Sequence, residues 1–156
     1  MMHTSFSKEE KLILEKIKSY CQYQERCTKE VRKKLYTLKT STESSEKIIS
    51  FLTNNDLLND ERFIKFFIQG KLRIKKWGKI KLKYELKSRG INYKLVDTCL
   101  KNISDDEYVS YFEEFSSNKI KFLKGTLDQK KRSFINYFTY RGWENELIYQ
   151  KLRDIN

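Results

Sequence analysis

The sequence contains no proline and only five glycines among its 156 residues. Periodic segments that run so far without breakers argue for an all-α chain with short connections. Cysteine is scarce as well. Cys21, Cys27 and Cys99 cannot all pair within one chain, their spacing fits no zinc pattern, and the single histidine is His3. That excludes a Cys–His nucleophile and leaves no expected metal or cofactor; the cysteines read as reduced thiols of a cytoplasmic protein. Uninterrupted apolar runs are only a few residues long, so no segment is expected to span a membrane. The N-terminal MMHTSFSKEEK lacks the apolar core of a signal peptide.

One further scarcity is local. Between Arg62 and Val96 there is one acid, Glu85, against twelve lysines and arginines, so this window carries +11 of a formal net charge of +12. The flanks are balanced: residues 1–61 hold eleven bases and ten acids, and residues 97–156 hold ten of each. A field of this size attracts polyanions, usually nucleic acid or a partner bound to it. With 38% apolar and 14% aromatic residues, the chain is equipped to build cores and is no disordered tail.

The helices can be read in order. Ser7 and Glu10 have the spacing of a capping box, and the helix behind them would turn Leu12, Ile13, Ile17, Tyr20 and Cys21 inward. A second helix from Thr28 would bury Val31, Leu35 and Leu38. A third from Thr42 would bury Ile48, Ile49 and Leu52 and end at Asn54-Asn55. Asn59 is placed to cap a helix opening Asp60-Glu61, with Phe63, Ile64, Phe67, Ile68 and Leu72 inward. After Trp77-Gly78, a helix with Leu82 and Leu86 inward would stop at Gly90, a left-handed C′ residue. A short helix after Asn92 carries Leu95, Val96, Cys99, Leu100 and Ile103. Ser104 to Glu107 is a second capping box, followed by Val109, Phe112, Phe115, Ile120 and Leu123. Beyond Gly125, Asp128 would cap a helix with Phe134 and Phe138 that ends at Gly142. Leu147, Ile148 and Leu152 belong to the closing helix.

The pattern recurs at fixed spacing. A shift of 51 residues lays Val31 and Leu35 on Leu82 and Leu86; a shift of 52 lays Leu82, Leu86, Gly90 and Ile91 on Phe134, Phe138, Gly142 and Trp143. The expectation is three tandem three-helix repeats, residues 7–55, 56–103 and 104–156. A unit of about 50 residues is marginal alone and leans on its neighbours.

Taken together, these residues resemble the RecX family, bacterial modulators of the RecA recombinase. Tyr20-Cys21 through Glu25-Arg26-Cys27-Thr28, with Glu30-Val31 to Leu35, is similar to that family's first-repeat signature. Leu57-Leu58-Asn59-Asp60-Glu61-Arg62-Phe63 is similar to its L-D-D-x-R-F box, with Asn59 where an acid is usual. Trp77-Gly78 followed by Leu86-Lys87-Ser88-Arg89-Gly90-Ile91 resembles its glycine box, which Arg141-Gly142-Trp143 echoes. The resemblance implies an elongated, curved, all-helical protein. It would lie in the groove of a RecA–DNA filament, hinder its extension or promote its disassembly, and restrain recombination and the DNA-damage response.

Arg73, Lys75, Lys76, Lys79, Lys83, Lys87 and Arg89 are the candidate contacts to the filament or to single-stranded DNA, with double-stranded DNA left open as well. The competing reading is a solvated basic face. On a helix from Lys79, Lys83 and Lys87 follow at i,i+4 while Lys81 points away, so the lysines form no single stripe. Glu85 alone cannot balance them, and an ordinary solvated face mixes signs. Trp77 and Tyr84 could stack on bases, although an aromatic beside a turn more often seals a core, the reading preferred for Trp77. Asp60-Glu61 and Asp105-Asp106-Glu107 sit in first helical turns, where acids are stabilising without any catalytic role. Gly78-Lys79 lacks the upstream glycine of a P-loop. The expectation is a monomeric regulator and not an enzyme. The alternatives are a stand-alone helix-turn-helix-like DNA-binding protein and, more distantly, an RNA-binding helical repeat. Lysine on the Lys79–Arg89 helix suits phosphate better than base edges.

Overall fold

The structure, a computed structural model, describes residues 5–156; His3 and the rest of residues 1–4, on which part of the N-terminal reading rests, lie outside the described residues. Among the described residues there are nine α-helices and no strand. They are α1 Lys8–Tyr23, α2 Thr28–Thr37, α3 Thr42–Asn54, α4 Asp60–Gly70, α5 Lys79–Ser88, α6 Tyr93–Lys101, α7 Asp105–Lys121, α8 Leu127–Tyr140 and α9 Asn145–Lys151. A π-helical turn, Lys71–Lys75, follows α4, and a 3₁₀ turn, Leu152–Asp154, follows α9. No helix among the described residues is long and apolar enough to cross a membrane. Close packing gathers the chain into two compact units. One comprises the residues up to Phe66 with Arg89–Ile91, the other Phe67–Ser88 with Asn92–Asn156. The boundary after Phe66 falls within α4.

In the first unit the core is Leu14, Ile17, Val31, Leu35, Ile48, Ile49 and Leu52, drawn from one face each of α1, α2 and α3, with Leu58 from the connection between α3 and α4. On α1, Ile17 is buried and Ile13, Tyr20 and Cys21 pack against the core as expected, but Leu12 is 66% exposed and Leu14 is buried in its place. Leu14, Ile17 and Cys21 follow i, i+3, i+7, so one rotation of the helix satisfies all three, and Leu12 falls outside that stripe. Ser7 and Glu10 form the capping box, each side chain bonded to the other's amide at 3.1 and 2.8 Å. Glu10 also accepts from Ser44 Oγ at 2.8 Å and Lys47 Nζ at 2.9 Å, tying α1 to α3. The Ser7 amide first, then Lys47 and Ser44, hold its carboxyl down to about 2.

The family-like boxes of this unit lock onto each other. Cys27, at the N-cap of α2, offers no side-chain cap. Asp60, 32 residues on, supplies one: its Oδ1 accepts from the Thr28 amide at 2.8 Å and the Thr28 hydroxyl at 3.1 Å. Arg62 pairs with Glu25 at 2.8 Å and Asp56 at 3.2 Å. Asn59 caps α4 as its position predicted, accepting from the Arg62 amide at 3.0 Å. Arg26 lies 3.8 Å over the Tyr20 ring and donates to the Tyr20 carbonyl. Cys21, Cys27 and Cys99 form no disulfide with one another, and burial raises the thiols of Cys21 and Cys27 above the usual thiol range. These boxes fasten the start of α2 to the start of α4.

In the second unit an aromatic core gathers Leu72, Tyr108, Phe112, Phe115, Phe134, Phe138, Trp143, Ile148 and Ile155. Phe112 stands 5.2 Å from Phe138 and 5.3 Å from Trp143, in the tilted and edge arrangements that aromatic pairs favour. Two expectations are corrected here. Val109 is 46% exposed, and Tyr108 takes the inward place because its hydroxyl has two partners waiting, described below. Asp128 is not the cap of α8. Thr126 is, in a capping box with Gln129, while Asp128 occupies the first turn. Leu82, Leu86, Val96, Cys99 and Leu100 are buried as their spacing predicted. Gly90 and Gly142 adopt the left-handed conformation, with φ of 71° and 82°. Lys151 is a buried cation, satisfied by Glu113, by Asp154 at 2.9 Å and by Ser117 at 3.2 Å. Burial pulls its pKa down, but those bonds outweigh burial and leave it raised.

Candidate functional site

The basic stretch is positioned by what happens on either side of Trp77-Gly78. After α4 the backbone widens into the π-helical turn, and Lys76 closes it in the left-handed conformation at φ 61°. Single π turns of this kind re-aim side chains inside helices and often mark functional sites. The carbonyl of Lys71 accepts from the amides of both Lys76 and Trp77. α5 then begins against the turn that ends α8. The first amides of a helix lack intrahelical partners, and three of these are met from outside. Gly78 donates to the Arg141 carbonyl at 2.8 Å and Ile80 to the Gly142 carbonyl at 3.1 Å. The amide between them, on Lys79, donates to Tyr108 Oη at 2.8 Å.

Tyr108 in turn donates its proton to Glu144, 2.7 and 3.0 Å from the two carboxylate oxygens. Burial, then the nearby Glu144 charge, pushes the phenol far above its usual range, so it stays protonated and can serve both partners. Trp143 Nε1 donates to the Lys76 carbonyl at 2.8 Å. The contact is backbone on backbone: a Cβ on Gly78 would sit 2.4 Å from the Gly142 carbonyl oxygen. The two glycine boxes that echo each other in the sequence meet in space.

This frame disperses the predicted contacts. Arg73 and Lys75 lie exposed on the π-helical turn, Arg73 donating to Tyr111 Oη at 3.1 Å. Lys76 and Lys79 are half-buried, with ammonium groups 5.7 Å from the Phe115 ring and 4.6 Å from the Tyr108 ring. Lys83 pairs with Asp97 at 3.0 Å, and Lys87 is exposed, 5.9 Å from the Tyr93 ring. Arg89 belongs to the first unit, 4.0 Å from Glu30. Sequence counting missed Asp97 by one position, since the window closed at Val96. Among the described residues, Lys71, Arg73, Lys75, Lys76, Lys79, Lys81 and Lys87 have no carboxylate within 4 Å.

Three of the cations in this region were not among the predicted contacts. Lys71 lies 5.2 Å and Lys81 4.9 Å from the ring centre of Trp77, while Lys81 also lies 4.0 Å from that of Tyr140. Arg141 stacks on Tyr137 at 3.5 Å. Trp77 itself is half-buried, with its edge toward Phe67 at 6.1 Å, and Tyr84 is 71% exposed. The signal for this cluster was present as basic and aromatic residues in alternation. Its two halves lie some sixty residues apart, and only the packing of Gly78 on Gly142 brings them together.

The fold and the site define a class: an all-helical protein of short helices whose positive charge is concentrated in one segment of the chain. No group of three or more His, Cys, Asp or Glu side chains among the described residues is placed to hold a metal. The chain belongs to the RecX family of regulatory proteins. It is 30% identical over 131 residues to the regulatory protein RecX of Chlorobium phaeobacteroides, covering 84% of this chain and 85% of that one. With the regulatory protein RecX of Prosthecochloris aestuarii it shares 29% identity over 138 residues, 87% of this chain and 88% of that one. Some relatives are longer, and the chain spans 61% of the one from Clostridium acetobutylicum. The family model described as "RecX, second three-helix domain" matches residues 59–100, which span α4, α5 and all but the last residue of α6. The fold is similar to that in the crystal structure of RecX from Lactobacillus salivarius, with a TM-score of 0.81 at 18% identity over 96% of this chain and 98% of that one. Family membership makes this a regulatory protein and not an enzyme.

Proposed function

We propose that the protein binds RecA–DNA filaments and restrains the recombinase, with its own non-specific affinity for single-stranded DNA helping to seat it. One observation carries this reading. The family-matched segment holds twelve lysines and arginines against four acids, +8 of the net +12, and eight of those twelve cations have no carboxylate within 4 Å among the described residues. A polyanion is the natural counterpart of such a surface. In this reading the three-helix repeats 7–55, 56–103 and 104–156 share the contact with a filament. The regulator works as a monomer in the cytoplasm, where such filaments form. Arg73, Lys75, Lys76, Lys79, Lys83, Lys87 and Arg89 are its contact residues, reinforced by Lys71 and Lys81.

The test is RecA-dependent ATP hydrolysis and strand exchange on single-stranded DNA, with and without this protein. Inhibition is expected at concentrations well below that of RecA, because blocking or capping a filament needs fewer than one regulator per subunit. Unchanged hydrolysis and strand exchange at equimolar protein would remove the filament reading and favour a stand-alone DNA-binding protein.

A further inference from the structure

Lys71, Trp77, Lys81 and Tyr140 form an unbroken series of cation, ring, cation, ring, at 5.2, 4.9 and 4.0 Å. Lys81 also donates to the Tyr140 carbonyl at 3.4 Å, which fixes the ammonium between the two rings. Beside Tyr140, Arg141 and Lys119 lie 3.5 and 4.3 Å from the Tyr137 ring. No carboxylate lies within 4 Å of Lys71, Lys81, Lys119 or Arg141 among the described residues.

A cluster that served only the core would be covered. This one is open: Tyr140 is 73% exposed and Trp77 is half-buried. Lys81 lies near the Tyr140 ring, most of which stays open to solvent, while Trp77, with Lys71 and Lys81 both near its ring, keeps part of its surface open. Exposed rings interleaved with unpaired cations fit a ligand that is flat and apolar at one end and anionic at the other, repeated along a chain. Unpaired nucleotides have that form, and base–aromatic stacking tolerates any sequence because every base has a π face. Paired bases keep their faces inside the helix and offer these rings nothing to stack on.

We infer that Trp77 and Tyr140 form a stacking platform for the bases of single-stranded nucleic acid, with Lys71, Lys81 and Arg141 holding the adjoining phosphates. This inference rests on the nucleic-acid contact proposed above and names the chemistry at a part of the surface outside the predicted lysine set.

Binding of full-length protein to fluorescently labelled oligothymidylate and to an abasic strand with the same number of phosphates tests it. The abasic strand is expected to bind at least about fivefold more weakly, since each stacked base contributes roughly five- to a hundredfold. Tyr140→Ala should lower affinity for oligothymidylate by a similar factor and leave the abasic strand unaffected. Tyr36→Ala, at an equally open site of 83% exposure, should change neither. Oligothymidylate should also quench tryptophan emission in the parent, and the change should report Trp77, because Trp143 is 1% exposed. Salt-sensitive binding of equal strength to both strands, with emission unchanged, overturns the platform and leaves the phosphate contact standing. Failure to bind either strand overturns both.

Discussion

Gly70 and Gly142 differ in what a methyl group would meet. Gly70 sits at φ −64°, ψ −48°, ordinary helical values, with nothing within 4 Å of the place a Cβ would occupy. Its missing side chain costs helix stability and serves no contact, so Gly70→Ala should stabilise by about 0.5–1 kcal/mol. Gly142 sits at φ 82°, and a Cβ there would lie 2.3 Å from the Lys81 amide nitrogen. A left-handed alanine costs about 1–2 kcal/mol and forced overpacking about 1–3 more. Gly142→Ala should therefore destabilise by about 2–5 kcal/mol and loosen the start of α5. Urea unfolding followed by circular dichroism measures both. Equal midpoints for the two variants would mean that the backbone contact between Gly78 and Gly142 is not made in solution.

At the scale of elements, the caps decide where helices begin, and one of them comes from far along the chain. Asp60 looks in the sequence like a first-turn acid of α4, and it is one. Its carboxylate also caps α2 through the Thr28 amide and hydroxyl. Asp60→Ala should cost about 0.5–2 kcal/mol, the usual loss of an N-cap, with the faster amide exchange concentrated at the start of α2. Faster exchange at the start of α4 alone would count against the long-range cap. This residue also marks the limit of what could be read in advance. Helix number, the starts of α1 to α4 and the left-handed ends at Gly90 and Gly142 were legible, because each rests on neighbours within a few positions. The π-helical turn was not, since residues 71–75 have no proline or internal glycine to signal it. Tyr108 was passed over for Val109 because hydrophobic periodicity ignores a hydroxyl's need for partners. Thr126 was passed over for Asp128 because both residues are good cap formers two positions apart. The ion pair between Lys83 and Asp97, and the meeting of Lys81 with Tyr140, depend on packing that no local window contains.

For the whole molecule, what matters is how much of the +12 net charge is available to an outside anion. Lys83 and Arg89 already stand near Asp97 and Glu30, and neutralising either leaves a carboxylate behind that repels phosphate. Lys75, Lys76, Lys79 and Lys87 have no such carboxylate within 4 Å among the described residues, so a phosphate that reaches them displaces only small ions. Each neutralised phosphate on a single strand contributes about −0.7 to the slope of log affinity against log salt, so four contacts give a slope near −3. Changing Lys75, Lys76, Lys79 and Lys87 together to alanine should flatten the slope by about that amount. It should weaken all sequences alike, because lysine on phosphate carries no base information. The Lys83→Ala, Arg89→Ala double variant should alter the slope by less than about 1. The fold should survive the fourfold change, since Leu72, Leu82 and Leu86, which are buried, hold these segments in place. Fluorescence anisotropy across a salt series, with circular dichroism as the folding control, separates the cases. A folded fourfold variant that keeps the parent's slope would show that these four lysines are only a solvated surface, and that the phosphates of a single strand are held elsewhere on the protein.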